Sequence, residues 1–515
     1  MLQPGTLAIL VALAASLPVA GCGPATEQAS QAGSPTQRTL RRGLGADPGT
    51  LDPQLAEDNA ALAVVADLYE GLTTEGPDGT IVPGAAASWT TDDAGLTYSF
   101  ALHHDLQWSN GDPLTAGHFA AGLRRALEAG TAAPYAGLLE AVAGVDVIDA
   151  QTLRVRLHRP VAYLPALLAL PVAAPLHPDA ARSTPRVGNG AYRLVRRLPG
   201  QVIELERNPN YRAAAGVAIE RVDHVVITDL STELNLYRTG EIDLTSEVPN
   251  AQLDSLRNRS PDELRIAPYL SVYAYAVNLQ RLPHRDARLA LAMAVDRALI
   301  TRKVTGAGEQ PAFGWVPAGI PQYQPARFSW RHLPYASAAT EARSLWTGAR
   351  RTGLAPARIK LCTDASANHR RTAVALADLW HTALGVETEI VELEWQVYLD
   401  ARSHPGDCDL VRLGWSADFV DPEAFAVLFE TGDPQNTLGY SSGAYDELLA
   451  ASRSATDVTT RMELLGRAEA RLLEDVPVIP VFFRVSKRLV RPDLRGVSAN
   501  PLGHVASRYL SFAAE

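Results

Sequence analysis

Cysteine is scarce in this sequence, with three residues among 515, and no C-x-x-C motif occurs. This excludes a small scaffold held by many disulfides and a zinc site built from thiolates. Basic residues do not outnumber acidic residues either. The sequence has 47 Lys and Arg and 57 Asp and Glu, for a net charge of −10. A nucleic acid is therefore not expected as a partner.

Motifs for metals and cofactors are also absent. The 12 histidines form no H-E-x-x-H pattern, and no glycine-rich phosphate fingerprint opens a helix. The sequence thus predicts no metal and no cofactor. The one catalytic pattern is G-x-S-x-G at Gly439–Gly443, which lacks a preceding core strand and has only His504 downstream. We interpret Ser441 or Ser442 as a helix cap, and a serine hydrolase that uses Ser441 is the alternative.

Long apolar runs are limited to one segment, Gly5–Gly21, which ends at Cys22. It is short for a membrane span and contains Pro18, so it predicts a signal peptide over 1–21. The residues VAG before Cys22 are similar to the lipobox of bacterial lipoproteins, which implies that Cys22 is lipidated. Met1–Pro4 lacks the usual basic residue, and a plain secretory signal is the alternative.

The chain after this segment divides into a short polar stretch and a large body. Residues 22–38 lack large apolar side chains and predict a flexible tether. The remainder is long enough for large cores and alternates strand and helix patterns. A strand at Arg358–Cys362, a helix at Arg370–Leu384 and a strand at Glu387–Leu393 predict a βαβ unit in an α/β sheet.

An acidic turn follows a short apolar strand that carries Arg412 and Trp415. Asp421 precedes Pro422, which is typical of a helix N-cap followed by proline at the first helical position. This assigns Asp421 a structural role and leaves Asp418 without one. A single carboxylate in a loop is usually solvated, so the pattern alone does not make Asp418 a ligand-binding group.

Several motifs, in order and spacing, resemble the extracytoplasmic solute-binding proteins of ABC importers. Within these, the chain is most similar to the oligopeptide-binding members of the peptide-binding family. The resemblance runs from about Leu40 to Phe512. Its motifs are Thr50–Pro53 (TLDP), Asp67–Leu72 (DLYEGL), Leu96–Phe100 (LTYSF), Trp108–Ala116 (WSNGDPLTA), Asn189–Tyr192 (NGAY), Glu206–Tyr211 (ERNPNY), Gly240–Asp243 (GEID), Asp296–Arg297 (DR) and Gly414–Phe419 (GWSADF).

The resemblance implies a two-lobed periplasmic-binding-protein fold of class II type, with an extra domain inserted in the first lobe. Mapped on this sequence, the core of lobe 1 comprises 39–80, 186–270 and 491–515. The extra domain is expected at 81–185 and lobe 2 at 271–490.

The implied function is not enzymatic. Such proteins close on a peptide between their lobes and deliver it to an ABC permease. We therefore expect a monomeric, lipid-anchored receptor for oligopeptides at the periplasmic or extracytoplasmic face, attached to the membrane only by its N-terminal lipid. The alternative is the same fold with another cargo, namely a dipeptide, a murein peptide, a metal complex or a sugar.

The resemblance also implies which charges hold the ligand, because an unpaired buried charge is costly. Asp418 matches the position that binds the α-amino group of a peptide. Arg402, Arg412 and His369 match positions for ligand carboxyl ends, and Glu57 matches an acidic position at that same end.

Aromatic side chains are expected to form roomy pockets along the peptide, which itself pairs as an added strand. The implied liners are Tyr135, Tyr273, Tyr275, Trp395 and Trp415, and core packing is the alternative interpretation for each. Ala274 stands where related proteins have a third aromatic residue. The disulfide positions of related proteins fall on Ser271 and Ser416, and Cys362 and Cys408 are candidates for a bridge instead.

Overall fold

The computed structural model describes residues 38–180, 186–433, 436–455 and 457–513. The strands of this part, in chain order, are β1 (Leu40–Leu44), β2 (Thr73–Glu75), β3 (Ile81–Pro83), β4 (Ala86–Thr91), β5 (Thr97–Leu102), β6 (Val142–Val147), β7 (Thr152–Leu157), β8 (Tyr192–Leu198), β9 (Val202–Arg207), β10 (Arg221–Val226), β11 (Leu264–Val277), β12 (Gln310–Pro311), β13 (Arg358–Asp364), β14 (Glu387–Leu393), β15 (Leu410–Ser416), β16 (Val478–Leu489), β17 (Leu494–Arg495) and β18 (Ser511–Phe512).

Helices connect most of these strands. The α-helices are α1 (Asn59–Leu68), α2 (Ala116–Leu127), α3 (Leu164–Leu167), α4 (Leu230–Thr239), α5 (Leu253–Arg259), α6 (Arg285–Met293), α7 (Arg297–Leu299), α8 (Tyr335–Arg351), α9 (Ala367–Leu384), α10 (Trp395–Ser403), α11 (Glu423–Ala426), α12 (Gly443–Ser454) and α13 (Val458–Asp475). Shorter 3₁₀ segments are Ala129–Thr131, Ala136–Leu139, Pro171–Ala173, Ala214–Gly216, Asn250–Gln252, Val427–Phe429 and Ser507–Tyr509, and Ile300–Thr305 is a π-helical segment.

Three larger sheets organise the body. The first has the order β1-β10-β9-β8, in which only β1 and β10 are parallel. The second, β4-β5-β7-β6, is antiparallel throughout and is built from residues 86–157. The third has the order β12-β16-β11-β15-β13-β14. The first two sheets lie within the ranges predicted for lobe 1 and the extra domain. The third lies within the range predicted for lobe 2, except for residues 264–270 of β11, which fall in the range predicted for lobe 1. The exact boundaries stay predictions.

Two long strands of the third sheet, β11 and β16, also reach toward the first sheet. They pair antiparallel from Leu264 opposite Leu489 to Ala276 opposite Val478, with irregularities in register between. At the end near Leu489, an isolated bridge joins Val490 to Leu244, and Leu244 bridges to Arg42 of β1. These two strands therefore connect the first and third sheets.

The core follows the alternation of side chains along β11. Tyr273 and Tyr275 pack in the apolar cluster of the third sheet, whereas Val272 and Ala274 belong to the larger cluster that also covers the first two sheets. Successive residues of a strand point to opposite faces, so β11 contributes to both cores.

The βαβ unit predicted from the sequence is confirmed. β13 and β14 pair in parallel and α9 connects them. Ala373, Trp380 and Leu384 of α9 are buried at the predicted helical spacing. Gly385 ends the helix with a φ of +69°, a conformation that glycine adopts without steric strain.

Among the described residues, every helix is too short or too polar to be a candidate membrane span. The predicted signal peptide (1–21), Cys22 and all but the last residue of the predicted tether (22–38) lie outside the described residues.

Candidate functional site

A large cavity, with a volume of about 540 Å³, lies where the connecting strands meet the first sheet and the C-terminal segment. Its wall includes residues 42–46 around the end of β1, residues 484–488 of β16 and part of the segment 496–509. Tyr135 and Asp418 complete the wall from two further elements. The cavity is thus bounded by parts of the chain that are distant in sequence, which is typical of a ligand-binding cleft.

Asp418 places a carboxylate in the wall of this cavity. It follows β15 in a turn, and its side chain is half-buried. Its Oδ1 accepts a long hydrogen bond of 3.4 Å from the hydroxyl of Tyr135, and no cation pairs with it among the described residues. Burial raises the pKa of Asp418 to about 6. This carboxylate therefore has no ion-pair partner among the described residues, although the charge of His504 favours its ionised form.

The neighbouring Asp421 differs from Asp418 although it has the same side chain. Both of its oxygens accept from Arg461, at 2.7 and 2.8 Å, and Oδ1 also accepts from the backbone of Glu423 at 2.9 Å. Asp421 therefore has a structural role, as the sequence analysis predicts, but it is not the N-cap residue. α11 begins one residue later than the sequence predicts, with Pro422 at the cap.

Glu75 and His504 form an ion pair on the same cavity wall. The Nδ1 of His504 lies 2.8 Å from Oε2 of Glu75. Burial alone would lower the pKa of His504, but the bond to Glu75, the charge of Glu75 and the charge of Asp418 raise it above its ordinary value. His504 therefore adds positive charge to the wall that also carries Asp418.

A second group of charges surrounds Asp364, at the end of β13. The Nε of Arg412 lies 2.7 Å from Oδ1 of Asp364, and Nδ1 of His369 lies 2.8 Å from the same oxygen. The guanidinium of Arg412 also lies over the ring of Tyr398, at 4.6 Å. We call Asp364, His369 and Arg412 the cationic cluster, because it contains two of the predicted cations.

Arg412 is neutralised within this cluster. Burial would raise the pKa of Asp364, but the bond to His369 and the charge of Arg412 lower it below its ordinary value. Burial, together with the charge of Arg412, lowers the pKa of His369 despite its bond to Asp364. The cluster therefore combines one guanidinium with one carboxylate and a neutral imidazole at neutral pH. The sequence analysis missed Asp364, which is 48 residues from Arg412 in the chain.

Tyr273 and Tyr275 lie beneath the cationic cluster and not on the cavity wall. Both are buried, with their hydroxyls 3.2 Å apart. Tyr275 is opposite Arg412 in the pairing of β11 with β15, and the ring of Tyr273 lies 5.4 Å from that of His369. These tyrosines are placed to support the cluster from behind.

The other predicted site residues are spread over three places. Trp415 is half-buried, and its Nε1 donates to the carbonyl of Ala424 at 2.7 Å. Arg402 lies in the last turn of α10 with its Nε buried and unpartnered. Trp395 begins α10, and its side chain lies outside the described part of the chain.

Glu57 lies at a different end of the site from the one that the sequence analysis predicts. It is exposed and lies near Tyr135, whose pKa is raised by burial and then by the charges of Asp418 and Glu57. The structure therefore groups Glu57 with Asp418, not with the cationic cluster. A turn of the chain just before α1 brings Glu57 close to Tyr135. Matching Glu57 to one position of the related proteins could not reveal this placement.

A disulfide joins Cys362 and Cys408, with their Cα atoms 5.9 Å apart. It connects β13, which carries Asp364, to the residues just before β15, which carries Arg412. Ser271 and Ser416 face each other across β11 and β15, with their hydroxyls 2.9 Å apart. A hydrogen bond thus occupies the position where the resemblance implies a bridge in related proteins.

The G-x-S-x-G segment does not form a nucleophile elbow, because the described residues directly before it, 430–433 and 436–438, contain no strand. Ser441 is exposed, and its Oγ accepts from the hydroxyl of Thr431 at 3.3 Å. Ser442 occupies the N-cap position of α12 as predicted, but its side chain makes no capping hydrogen bond.

Comparison with known proteins identifies relatives over almost the whole chain. The family described as "Bacterial extracellular solute-binding proteins, family 5 Middle" matches residues 80–437. The periplasmic oligopeptide-binding protein OppA of Escherichia coli (strain K12) is 34% identical over 544 residues, covering 99% of this chain and 97% of OppA. The probable deoxycholate-binding periplasmic protein YgiS of the same strain is 34% identical, covering 92% of this chain and 93% of YgiS.

A solved structure extends this likeness to three dimensions. OppA of Haemophilus influenzae in complex with the peptide RPPGFSPFR has a TM-score of 0.84 and 31% identity, covering 93% of this chain and 99% of that one. This likeness confirms the predicted fold class, a two-lobed α/β fold of class II type with an extra domain in the first lobe.

Proposed function

Because this chain belongs to the bacterial extracellular solute-binding proteins of family 5, we propose that it captures oligopeptides between its two lobes and delivers them to an ABC permease. The observation that carries this proposal is Asp418, a carboxylate in the wall of a large cavity that lacks a cationic partner. The α-ammonium group of a peptide supplies such a partner.

Placing the α-ammonium group of the peptide at Asp418 fixes the orientation of the ligand and assigns roles to the other site residues. With the ammonium group at Asp418, Tyr135 and Glu57 surround the amino end. Trp415 and Trp395 line the side-chain pockets, and the peptide backbone pairs as an added strand.

The carboxyl ends of longer peptides are bound by Arg402, Arg412 and His369. Of these, Arg402 is the cation without a partner among the described residues, whereas Arg412 already pairs with Asp364. A ligand carboxylate therefore competes with Asp364 at Arg412. Tyr273 and Tyr275 hold Arg412 in place.

The proposal includes the location and the state of the protein. The signal peptide and the lipid on Cys22 would hold a monomeric body at the extracytoplasmic face, within reach of its permease. The relatives OppA and YgiS are named as periplasmic proteins, which supports this location. The lobe boundaries at 80, 185, 270 and 490 belong to the same proposal.

Another cargo in the same fold is the second candidate, and it is favoured by the relative named for deoxycholate. A bile-acid carboxylate brings no cation to Asp418, so it would leave that group unpaired. The two candidates therefore differ in what they require of Asp418.

Calorimetry with trialanine and N-acetyl-trialanine tests the proposal. Acetylation removes the ammonium charge, and loss of one partner of a desolvated charge pair costs about 2–5 kcal/mol, or at least about 30-fold in affinity. We expect trialanine to bind and the acetylated peptide to bind at least that much more weakly. Equal affinities would contradict the role of Asp418, and binding of deoxycholate in place of trialanine would favour the second candidate.

A further inference from the structure

Arg484 lies on the stretch of β16 that lines the cavity, following the apolar residues 478–483. Its side chain is half-buried. Within the described residues it makes no hydrogen bond and no ion pair, and its nitrogens are not among the buried atoms that lack a partner. The guanidinium is thus accessible and free to bind a ligand.

The other cations of the cavity wall have partners inside the protein. These are Lys487 with Glu247 at 3.2 Å, Arg488 with the carbonyl of Gly503 at 2.9 Å, Arg42 with the carbonyl of Val505 at 2.8 Å, Arg508 with the hydroxyl of Thr74 at 2.7 Å, and His504 with Glu75 at 2.8 Å. Arg484 differs from all of them. A guanidinium forms its strongest hydrogen bonds with carboxylates and phosphates.

The position of Arg484 relative to Asp418 suits a short peptide. β15 and β16 flank β11 in the third sheet, so their backbones are about 10 Å apart, twice the usual strand spacing. Asp418 follows β15 and Arg484 lies on β16, and both line the same cavity. An extended tripeptide also spans about 10 Å, at about 3.3 Å per residue.

Arg484 also lies toward the cationic cluster. Its charge contributes to lowering the pKa of His369, after the larger effects of burial and of Arg412. The cavity wall therefore carries both Asp418 and the unpaired Arg484, and Arg484 lies within electrostatic range of the cationic cluster.

We propose that Arg484 binds a carboxylate of the ligand within the cavity, so that the protein prefers short peptides with a carboxylate about three residues from the ammonium group. This inference rests on the proposed function and specifies its substrate class. The carboxylate has two sources, the α-carboxylate of a tripeptide and an acidic side chain of a longer peptide.

Calorimetry on Arg484→Gln separates these sources. The probes are trialanine, trialanine amide, and the amides of Ala-Ala-Glu-Ala and Ala-Ala-Gln-Ala. We expect Arg484→Gln to weaken binding of the carboxylate-bearing ligand by about 10-fold to 100-fold, and Arg484→Lys to retain part of the preference. Arg154→Gln is the control, because Arg154 is an exposed arginine on β7 that does not line the cavity.

Each outcome decides the inference. If Arg484→Gln abolishes the preference for trialanine over its amide, the α-carboxylate binds Arg484. If it abolishes instead the preference for the Glu peptide over the Gln peptide, a side-chain carboxylate binds there. If both preferences persist in Arg484→Gln, the inference is wrong while the proposed function stands. If the unsubstituted protein binds none of the four peptides, the proposed function fails and this inference fails with it.

Discussion

Asp364 and Asp418 are two carboxylates of the third sheet, and the protein surrounds them differently. Asp364 ends β13 and lies 2.7–2.8 Å from Arg412 and His369, and these neighbours lower its pKa. Asp418 follows β15 and has only the hydroxyl of Tyr135 at 3.4 Å, and burial raises its pKa to about 6. One carboxylate is satisfied by the protein, and the other is left for a ligand.

This difference separates a structural charge from a binding charge. A carboxylate that pairs with a buried guanidinium and bonds to an imidazole contributes to the stability of the folded chain, and its removal leaves a buried cation unpaired. A carboxylate without a cation destabilises the empty protein and gains a partner only when a cationic ligand binds. The predictions below test these two descriptions.

The largest expected effect is the loss in free energy of unfolding caused by Arg412→Met. Both side chains of its ion pair are buried, with 9% and 11% exposure for Arg412 and Asp364. Removing the cation leaves a buried carboxylate, which costs about 3–5 kcal/mol. Urea unfolding should show this loss, and the double variant with Asp364→Asn should recover part of it.

Arg156→Met is the matched control, because Arg156 and Asp146 also lie 2.7 Å apart but are 51% and 41% exposed. A loss below about 1 kcal/mol is expected there. His369 offers a second readout, since its pKa should rise in Arg412→Met, where one of the charges that lowers it is gone. Equal losses for Arg412→Met and Arg156→Met would remove the distinction between a buried and an exposed pair.

The next effect concerns the disulfide that holds the cationic cluster. Cys362 and Cys408 are 46 residues apart, and closing a loop of that length stabilises the folded state by about 2–4 kcal/mol. The double variant Cys362→Ala, Cys408→Ala should lose this amount in urea unfolding, and dithiothreitol should no longer affect it. Trialanine should bind as before, because Asp418 is at the opposite end of β15. A parallel loss of trialanine affinity would show that the two regions are coupled.

The features of the fold and the site that depend on residues close together in the chain could be predicted from the sequence. The helix α9 has a clear apolar spacing and a glycine stop. The acidic turn after β15 predicts a structural role for Asp421, although Pro422 takes the cap position. Asp364 carries no such local signal, because its role depends on Arg412, which parallel strand pairing brings close. Arg484 could have been found, since a single arginine follows the apolar run at 478–483 of β16. Its lack of a partner is visible only in three dimensions.

A smaller effect is expected from Asp418→Asn in the absence of ligand. The ordinary pKa of the carboxyl is 3.8 and the folded value is about 6, so the folded state binds a proton that the unfolded state releases between these values. The free energy of unfolding therefore falls as the pH rises from about 4 to about 6. Asp418→Asn removes this effect and should stabilise the empty protein at pH 7 by about 1–3 kcal/mol, while trialanine binding is lost. A less stable variant would assign Asp418 a structural role like that of Asp364.

The smallest effect is the pH dependence of peptide binding. Trialanine requires the ionised form of Asp418, and the amino group of a peptide stays protonated below about pH 7.7. The affinity should therefore be constant from about pH 6.5 to pH 7 and fall about 10-fold for each pH unit below 6. The same fall should occur in Asp254→Asn, where the carboxyl is 96% exposed and distant from the cavity wall. In Asp418→Asn, the weak residual binding should not change with pH over this range. The decline would then belong to Asp418, because Asp364, held ionised by Arg412 and His369, keeps its charge until a lower pH.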